Sequence, residues 1–238
     1  RHLVPAFVKL CNLGAEIRSA NLSKLVKMPF TDDCIARGKN PDAGGAVYNY
    51  GVVETAGSSA VADAFAAIHR LVFEEKRLSM QTLQEAIDAN FEGYEPVRQT
   101  LVNKAPKFGN DDVLADEYAS RVLESFWSEI RKYQSVRGDV FLGACSLLTD
   151  GIWYGRQTWA MPDGRFSGEP LGNSIGPRPG ADKNGVTAML NSVAKLPLKL
   201  GVGGTTVNVL LPQKLLSSEP LRQDIARVMT AYLLNGGQ

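Results

Sequence analysis

The sequence predicts an α/β fold that forms a single piece over residues 1–238. Short runs rich in β-branched and aromatic residues, bounded by glycine, predict buried strands. Longer segments between these runs carry apolar residues at helical spacing and predict helices that cover a sheet. No internal repeat or flexible tether interrupts this alternation, so we expect one mixed unit rather than two tethered domains.

Four apolar runs predict the strands, at residues 47–53, 140–148, 187–194 and 205–211. The run at 140–148 contains glycine and is too short for a typical buried helix, so we expect it to be the central strand. Residues 168–184 are rich in glycine and proline with little periodicity, which predicts a long ordered loop or a linker.

The helix with the clearest apolar face is predicted at residues 60–75, after a pair of serines that supply a cap. We expect it to bury Phe65, Ile68 and Leu71. His69 falls on the more polar side of this helix and is expected to be structural.

Further helices are indicated by caps and by spacing. One follows Ser79, another opens with Pro96 in its first turn, and the longest begins at Asp111 and Asp112. The apolar positions of the longest helix recur at Leu114, Tyr118, Val122, Phe126, Ile130 and Tyr133. Residues 221–233 carry a last helical stripe.

The composition excludes several classes of protein. Hydrophobic residues make up 44% of the chain and charged residues 21%, which is too apolar for a disordered protein. The net charge of +1 gives no long-range field that would attract nucleic acid or an anionic membrane. No apolar run approaches the roughly 20 residues that span a bilayer, and no export signal is seen, so we expect a cytoplasmic protein.

The two ends predict that the chain is part of a longer polypeptide. It opens on Arg1, and residues 1–13 already have helical spacing without a preceding cap. The stripe at residues 221–233 runs directly into Gly236 and Gly237, as at the end of a helix.

Few residues are candidates for chemistry. Cys11, Cys34 and Cys145 show no metal-binding spacing, and we expect them to be small buried residues, with Cys145 in the core of the central strand. The segment at residues 201–206 lacks the lysine of a phosphate-binding loop, so its glycines are expected to allow a close backbone approach. We therefore predict no catalytic residue and no metal site in this chain.

Substrate contact is predicted along the central strand, because side chains alternate between the two faces of a strand. One face would present Ala144, Ser146, Leu148 and Asp150, and the other Phe141, Cys145, Leu147 and Thr149. The first set is smaller and ends in a carboxylate, so we choose Ser146, Leu148 and Asp150 as the substrate-binding residues. Asp150 could equally cap a turn after the strand.

Several motifs in order resemble the glycyl radical enzymes of the pyruvate formate-lyase superfamily. The resemblance begins with Asp33-Cys-Ile-Ala-Arg-Gly-Lys39 and Ala43-Gly-Gly-Ala-Val-Tyr-Asn-Tyr50, and continues at residues 66–76. It extends through Lys107-Phe-Gly-Asn-Asp-Asp112 and Pro162-Asp-Gly-Arg-Phe-Ser-Gly-Glu-Pro-Leu171 to residues 182–195, and so covers nearly the whole chain.

The resemblance implies the second half of a barrel of about ten strands wrapped by helices. In that family one loop bears a cysteine in a Gly-Cys-x-Glu type motif, and another bears a glycine in an Arg-Val-x-Gly-Tyr type motif. Neither motif occurs in these 238 residues, so Cys11, Cys34 and Cys145 do not inherit the role of the family's cysteine.

The resemblance also implies radical chemistry in the full-length protein. An activating enzyme that uses an iron-sulfur centre and S-adenosylmethionine would install a glycyl radical, and this chain itself would bind no cofactor. The expected partners are a small-molecule substrate, the activating enzyme, the rest of the same polypeptide and a second subunit in a homodimer, with no nucleic acid and no membrane.

We expect a fragment of a lyase, dehydratase or decarboxylase that is inactive by itself. The segments at residues 175–180 and 201–208 differ from the choline-cleaving and diol-dehydrating branches, so the resemblance does not select a substrate. The alternative is a truncated or split domain without catalysis that acts only as a structural or binding module.

Overall fold

A computed structural model describes residues 3–22, 24–147, 149–213 and 217–238. Their contacts group the chain into two compact units. The first unit comprises Arg1–Glu54, Ser125–Ala144 and Leu200–Gly204, and the second comprises Thr55–Glu124, Cys145–Lys199 and Thr205–Gln238.

The described residues form an α/β structure with a parallel strand pair and many helices. The helices are α1 (Val4–Asn21), α2 (Cys34–Arg37), α3 (Ser58–Ala67), α4 (Met80–Asp88), α5 (Glu95–Lys104), α6 (Val113–Ile130), α7 (Asp150–Arg156), α8 (Gly185–Ala194) and α9 (Glu219–Leu234). The strands are β1 (Gly51–Glu54), β2 (Phe141–Cys145) and β3 (Gly204–Thr205). No helix in the described part of the chain is both long enough and apolar enough to cross a membrane.

The strand β2 is the middle strand of the sheet, whose order is β1-β2-β3. It pairs in parallel with β1, so that Gly51 lies opposite Phe141. All five residues of β2 are buried, which confirms the predicted central strand. The strand is shorter than residues 140–148, because regular pairing ends at Cys145.

The other predicted strands are shorter than expected. Strand β1 covers only the end of residues 47–53, because Val47 and Tyr48 are exposed and lie before the paired backbone. The strand predicted at residues 205–211 is observed as β3, which contains only two residues, Gly204–Thr205. Just before β3, the amide of Gly203 donates to the carbonyl of Gly143 at 2.9 Å, and a Cβ atom at Gly203 would lie 2.8 Å from that oxygen. This contact confirms the close backbone approach expected at residues 201–206.

The core of the first unit packs tightly against β2. The side chain of Trp127 is fully buried, and a Cβ atom at Gly143 would lie 2.1 Å from its ring. On α1 only Val4, Val8 and Ala15 are buried. The opposite side of α1 exposes an apolar row that we name the α1 stripe: Leu3, Phe7, Leu10, Leu13 and Ile17.

The start of the second unit corrects the predicted helix at residues 60–75. Leu71 is buried as expected and Ile68 is half-buried, but Phe65 is 47% exposed. The buried face of α3 is made of small residues, mainly alanine. After Ala67 the backbone widens into a π-helical turn, Ile68–Glu74, which shifts the later residues relative to the face that α-helical spacing predicts.

The predicted caps are confirmed at α4 and α6. The Ser79 hydroxyl accepts from the amide of Thr82 at 2.9 Å. An oxygen of Asp112 accepts from the amides of Leu114 and Ala115. The buried apolar face of α6 contains Ile130, as predicted, but its other members lie one position after the predicted stripe: Ala115, Ala119, Leu123 and Trp127.

Residues 187–194 were predicted as a strand, and the structure shows that this prediction is wrong. They form most of α8, whose buried residues Met189, Leu190, Ser192 and Val193 have helical spacing. Thr187 and Val193 are β-branched, but the alanine, methionine and leucine residues between them favour the helix. The predicted helix near the C-terminus is confirmed as α9.

Candidate functional site

The predicted substrate-binding residues follow β2 in the second unit. Ser146 comes directly after the strand and is half-buried, whereas Asp150 is the first residue of α7. Leu148 lies outside the described residues. Because β2 ends at Cys145, strand alternation does not extend to Asp150, and uniform burial along β2 does not favour either predicted face.

A loop from the glycine- and proline-rich segment is hydrogen-bonded to the residues after β2. The amide of Leu171 donates to the carbonyl of Gly151 at 3.0 Å. The amide and hydroxyl of Ser174 both donate to the carbonyl of Leu147, at 3.1 and 3.0 Å. A Cβ atom at Gly172 would lie 2.2 Å from the Ser59 hydroxyl, so only glycine fits between α3 and this loop.

Two polar side chains of this loop meet a third from a distant part of the chain. We call the three the polar cluster: Asn173, Ser174 and Asn208. The Asn208 amide donates to the Asn173 side-chain oxygen at 3.1 Å and to the Ser174 hydroxyl at 3.3 Å. The Ser174 hydroxyl also lies 3.1 Å from the Asn173 side-chain oxygen. Sequence reasoning missed this cluster, because its members are 34 and 35 residues apart and share no local motif.

A cleft of about 470 Å³ adjoins the polar cluster within the second unit. Its walls include Asn173, Asn208, Arg178, Asp182 and Met189. The volume suits a small ligand, and the lining combines amide donors and acceptors with apolar surface. The arrangement can orient a small molecule that carries hydroxyl groups.

The guanidinium on the wall of this cleft is paired with a buried carboxylate. Nε of Arg178 lies 3.0 Å from Asp163, whose side chain is fully buried. Burial raises the pKa of Asp163, and the charge of Arg178 opposes that shift. The positive charge of Arg178 is therefore largely committed to Asp163.

Arg165 is fully buried beside Asp163 and organises the turn that precedes the loop. Its backbone amide donates to Asp163 at 3.0 Å. Its guanidinium donates to four backbone carbonyls, those of Gly155, Thr158, Trp159 and Phe166. These bonds fix the end of α7 and the start of the segment that carries the polar cluster.

A second buried pair of opposite charges lies in the same unit. Asp63 accepts a hydrogen bond from the amide of Phe108 at 2.7 Å, and Lys107 donates to the carbonyl of Leu101 at 2.8 Å. Burial raises the pKa of Asp63 to about 7, although the charge of Lys107 and the amide of Phe108 oppose the rise. Burial also lowers the pKa of Lys107.

The cysteines have structural surroundings. Cys145 is buried, and its thiol donates to the carbonyl of Thr55 at 3.1 Å, which supports the expected core position. Cys34 is also buried, whereas Cys11 is only half-buried, contrary to expectation, and burial raises its pKa. Within the described ranges no group of three or more acidic, histidine or cysteine side chains is placed to hold a metal ion.

Solved structures resemble this chain over nearly its full length. A glycerol-bound B12-independent glycerol dehydratase from Clostridium butyricum matches with a TM-score of 0.90 and 29% identity, over 98% of this chain and 30% of that one. A glycyl radical enzyme from Archaeoglobus fulgidus matches with a TM-score of 0.90 and 31% identity, over 100% of this chain and 30% of that one.

Sequence relatives give the same result. The chain is 35% identical to trans-4-hydroxy-L-proline dehydratase of Clostridioides difficile, over 84% of this chain and 25% of that protein. It is 32% identical to the probable dehydratase YbiW of Escherichia coli, over 89% of this chain and 27% of that protein. The chain thus spans about a quarter of the length of these relatives.

The family model described as pyruvate formate lyase-like matches residues 1–155, which is well over half of the chain. Together with the glycyl radical enzymes among its structural neighbours, this match agrees with the motifs found in the sequence. The chain therefore belongs to the pyruvate formate lyase-like family of glycyl radical enzymes.

Proposed function

We propose that this chain is part of the barrel domain of a longer glycyl radical enzyme that removes water from, or cleaves, a small hydroxylated molecule. The observation that carries the proposal is the polar cluster beside a cleft of small-molecule size. Support comes from the names of the relatives, since hydroxyproline, sulfopropanediol and isethionate all carry a hydroxyl group.

In this proposal the chain supplies binding and orientation. Ser146, Leu148 and Asp150 line the substrate pocket, and the amides of Asn173 and Asn208 orient substrate hydroxyl groups. The Arg178–Asp163 pair holds the loop that carries Asn173. A glycyl radical in the longer protein, once installed, would supply the radical chemistry, and the part of this chain would be to bind and orient the substrate.

The proposal extends to the architecture and the partners. Residues 1–238 would form one partial barrel domain, which is half of a ten-stranded α/β barrel wrapped by helices. The complete enzyme would be a cytoplasmic homodimer activated by an iron-sulfur enzyme that uses S-adenosylmethionine. It would bind neither nucleic acid nor a membrane.

The test uses the full-length enzyme after anaerobic activation. Ser146→Ala, Asp150→Asn and Asn173→Ala are compared with Thr149→Ala, an exposed neighbour as matched control. We expect normal radical content by electron paramagnetic resonance but at least tenfold lower turnover in the three site variants. Normal turnover in all three would remove these residues from the substrate pocket.

The alternative function is a structural or binding module without catalysis. The absence of the family's cysteine and glycine motifs from these 238 residues favours it. The intact mass of the protein isolated from its natural source separates the two functions. A mass near 25.8 kDa would support the module, whereas a mass several times larger would support the enzyme. In either case we expect no turnover from the 238-residue chain alone.

A further inference from the structure

Three neighbouring side chains form a relay on the surface of the second unit, and none of them belongs to the polar cluster. Nδ1 of His69 lies 3.0 Å from the hydroxyl of Tyr118, and Nε2 of His69 lies 3.2 Å from a carboxylate oxygen of Glu74. The other oxygen of Glu74 lies 2.9 Å from Arg70. The three groups therefore stand in the order carboxylate, imidazole and phenol.

The carboxylate fixes which nitrogen of the neutral imidazole carries the proton. The Glu74 carboxylate lies 3.2 Å from Nε2, and its negative charge favours the tautomer in which Nε2 of His69 carries the hydrogen. Nδ1 then has a free lone pair and accepts the hydrogen bond from the Tyr118 hydroxyl. A nucleophile that donates to a base, which is itself oriented by a third group, is the arrangement that activates hydroxyl nucleophiles.

The backbone and the neighbouring side chains favour this geometry. His69 and Glu74 both belong to the π-helical turn, and turns of this kind are frequent at functional sites. The Phe65 ring stacks on Tyr118 with a centroid distance of 5.6 Å and remains 47% exposed. Arg121 lies 5.5 Å from the centre of the Tyr118 ring. A planar apolar surface and a cation thus flank the phenol.

We propose that Tyr118 is a nucleophilic tyrosine that accepts an acyl group from activated aryl esters, with His69 as general base and Glu74 as its orienting group. The phenol oxygen forms a bond to the ester carbonyl carbon while its proton moves to Nδ1 of His69. The bond from that carbon to the aryl oxygen then breaks, and the aryl oxide leaves with the proton from His69. The products are O-acyl-Tyr118 and a phenol, with no change in oxidation state.

The site selects its ligand by the groups that surround Tyr118. The exposed face of Phe65 suits the aromatic ring of an ester. Arg121 can stabilise the negative charge that develops on the ester oxygen during attack. This activity is independent of the proposed radical function, because none of its residues belongs to the polar cluster or to its cleft.

The test treats the 238-residue chain with p-nitrophenyl acetate and locates acetyl groups by peptide mass spectrometry. Tyr48 serves as the internal control, because it is 80% exposed and has no hydrogen-bond partner among the residues that the structure describes. We expect acetylation of Tyr118 at least tenfold faster than that of Tyr48. Faster or equal labelling of Tyr48 would show that exposure alone governs reactivity, and would overturn the proposal.

Two variants separate the relay from simple accessibility. His69→Gln removes the base and should slow acetylation of Tyr118 by about tenfold or more, since general bases contribute at least that much. Glu74→Gln keeps the shape of the side chain and should cause a smaller loss. Circular dichroism of both variants reports whether the fold is retained. Unchanged labelling of Tyr118 in a folded His69→Gln variant would contradict the assignment.

Discussion

The two compact units differ in what they expose and in what they bury. The first unit exposes the α1 stripe, and Leu25, Val26 and Phe30 extend its apolar surface. The second unit buries more charged side chains, including Asp63, Asp163 and Arg165, whereas Asp42 is the buried charge in the described part of the first unit. An apolar row on a surface is typical of an interface with another segment, whereas buried charges must find their partners within the same unit.

This difference shows what helical periodicity can predict and what it cannot. Apolar spacing identifies the side of a helix that avoids water, but it does not identify the segment that covers that side. In the second unit the covering segments belong to this chain, as the packing of Leu71, Leu83 and Leu101 into one cluster shows. The α1 stripe, in contrast, stays exposed among the residues that the structure describes.

The largest effect is expected from Arg165→Met in the second unit. The variant leaves four carbonyls without their donor and removes one of the positive charges near Asp163, where Arg178 remains. Removing one member of a buried charged network typically costs about 3–5 kcal/mol. Urea unfolding, followed by the fluorescence of Trp153 and Trp159 in this unit, measures the loss of stability. The exposed Arg156→Met is the matched control and should change stability by less than about 0.5 kcal/mol.

The next effect is a dependence of stability on pH that comes from Asp63. Its raised pKa means that the folded state binds more protons than the unfolded state between about pH 4 and about pH 7. The contribution to stability is therefore present at the acidic end of this range and is lost as the pH rises through 7. Asp63→Asn should abolish this pH dependence, which amounts to a few kcal/mol in the free energy of unfolding over this range. The free energy of unfolding is measured at a series of pH values. If its dependence on pH is the same for the variant and the original chain, the raised pKa of Asp63 is contradicted.

A smaller effect tests whether the first unit has a rigid core despite its exposed stripe. Gly143→Ala places a methyl group against the ring of Trp127, which has no free space around it. Overpacking of this kind costs about 1–3 kcal/mol and should change the near-ultraviolet circular dichroism of Trp127. Gly14→Ala on α1 is the control and should stabilise by about 0.5–1 kcal/mol, because its Cβ atom would meet only the end of Arg18 at 3.4 Å.

The smallest effect on stability is expected for the α1 stripe itself. The double variant Leu10→Gln and Ile17→Gln should change the free energy of unfolding by less than about 0.5 kcal/mol, because both side chains are exposed. It should reduce self-association in sedimentation experiments, since it removes apolar surface. Val8→Gln on the buried side is the comparison and should destabilise strongly. A loss of about 2 kcal/mol in the double variant would show that the stripe is packed.

Local signals predicted the parts of the fold that depend on neighbouring residues. The caps at Ser79 and Asp112 and the central strand β2 were found because their determinants lie within a few residues. The exposure of Phe65 was missed, because small residues form the buried face of α3 and the Phe65 ring stacks on Tyr118 instead, which the apolar spacing does not show. The strand predicted at residues 187–194 is wrong, because the buried residues Met189, Leu190 and Val193 lie at helical spacing rather than in strict alternation.

The candidate site was only partly predictable for the same physical reason. Sequence reasoning identified the residues after β2, but the polar cluster is assembled by hydrogen bonds between distant loops. Glycines in the segment at residues 168–184 predicted a loop, without any sign of which strand end it would contact. The resemblance to a family predicted more about the chemistry than the side chains themselves did.

The hydrogen bonds of Arg165 also have a consequence for the order in which the chain folds. All four carbonyls that its guanidinium contacts lie within ten residues of it along the sequence. Short loops close quickly, and structures rich in local contacts form early. Residues 150–166, which comprise α7 and the turn that follows it, are therefore expected to fold early. The loop that carries Asn173 would then dock onto an element that is already formed.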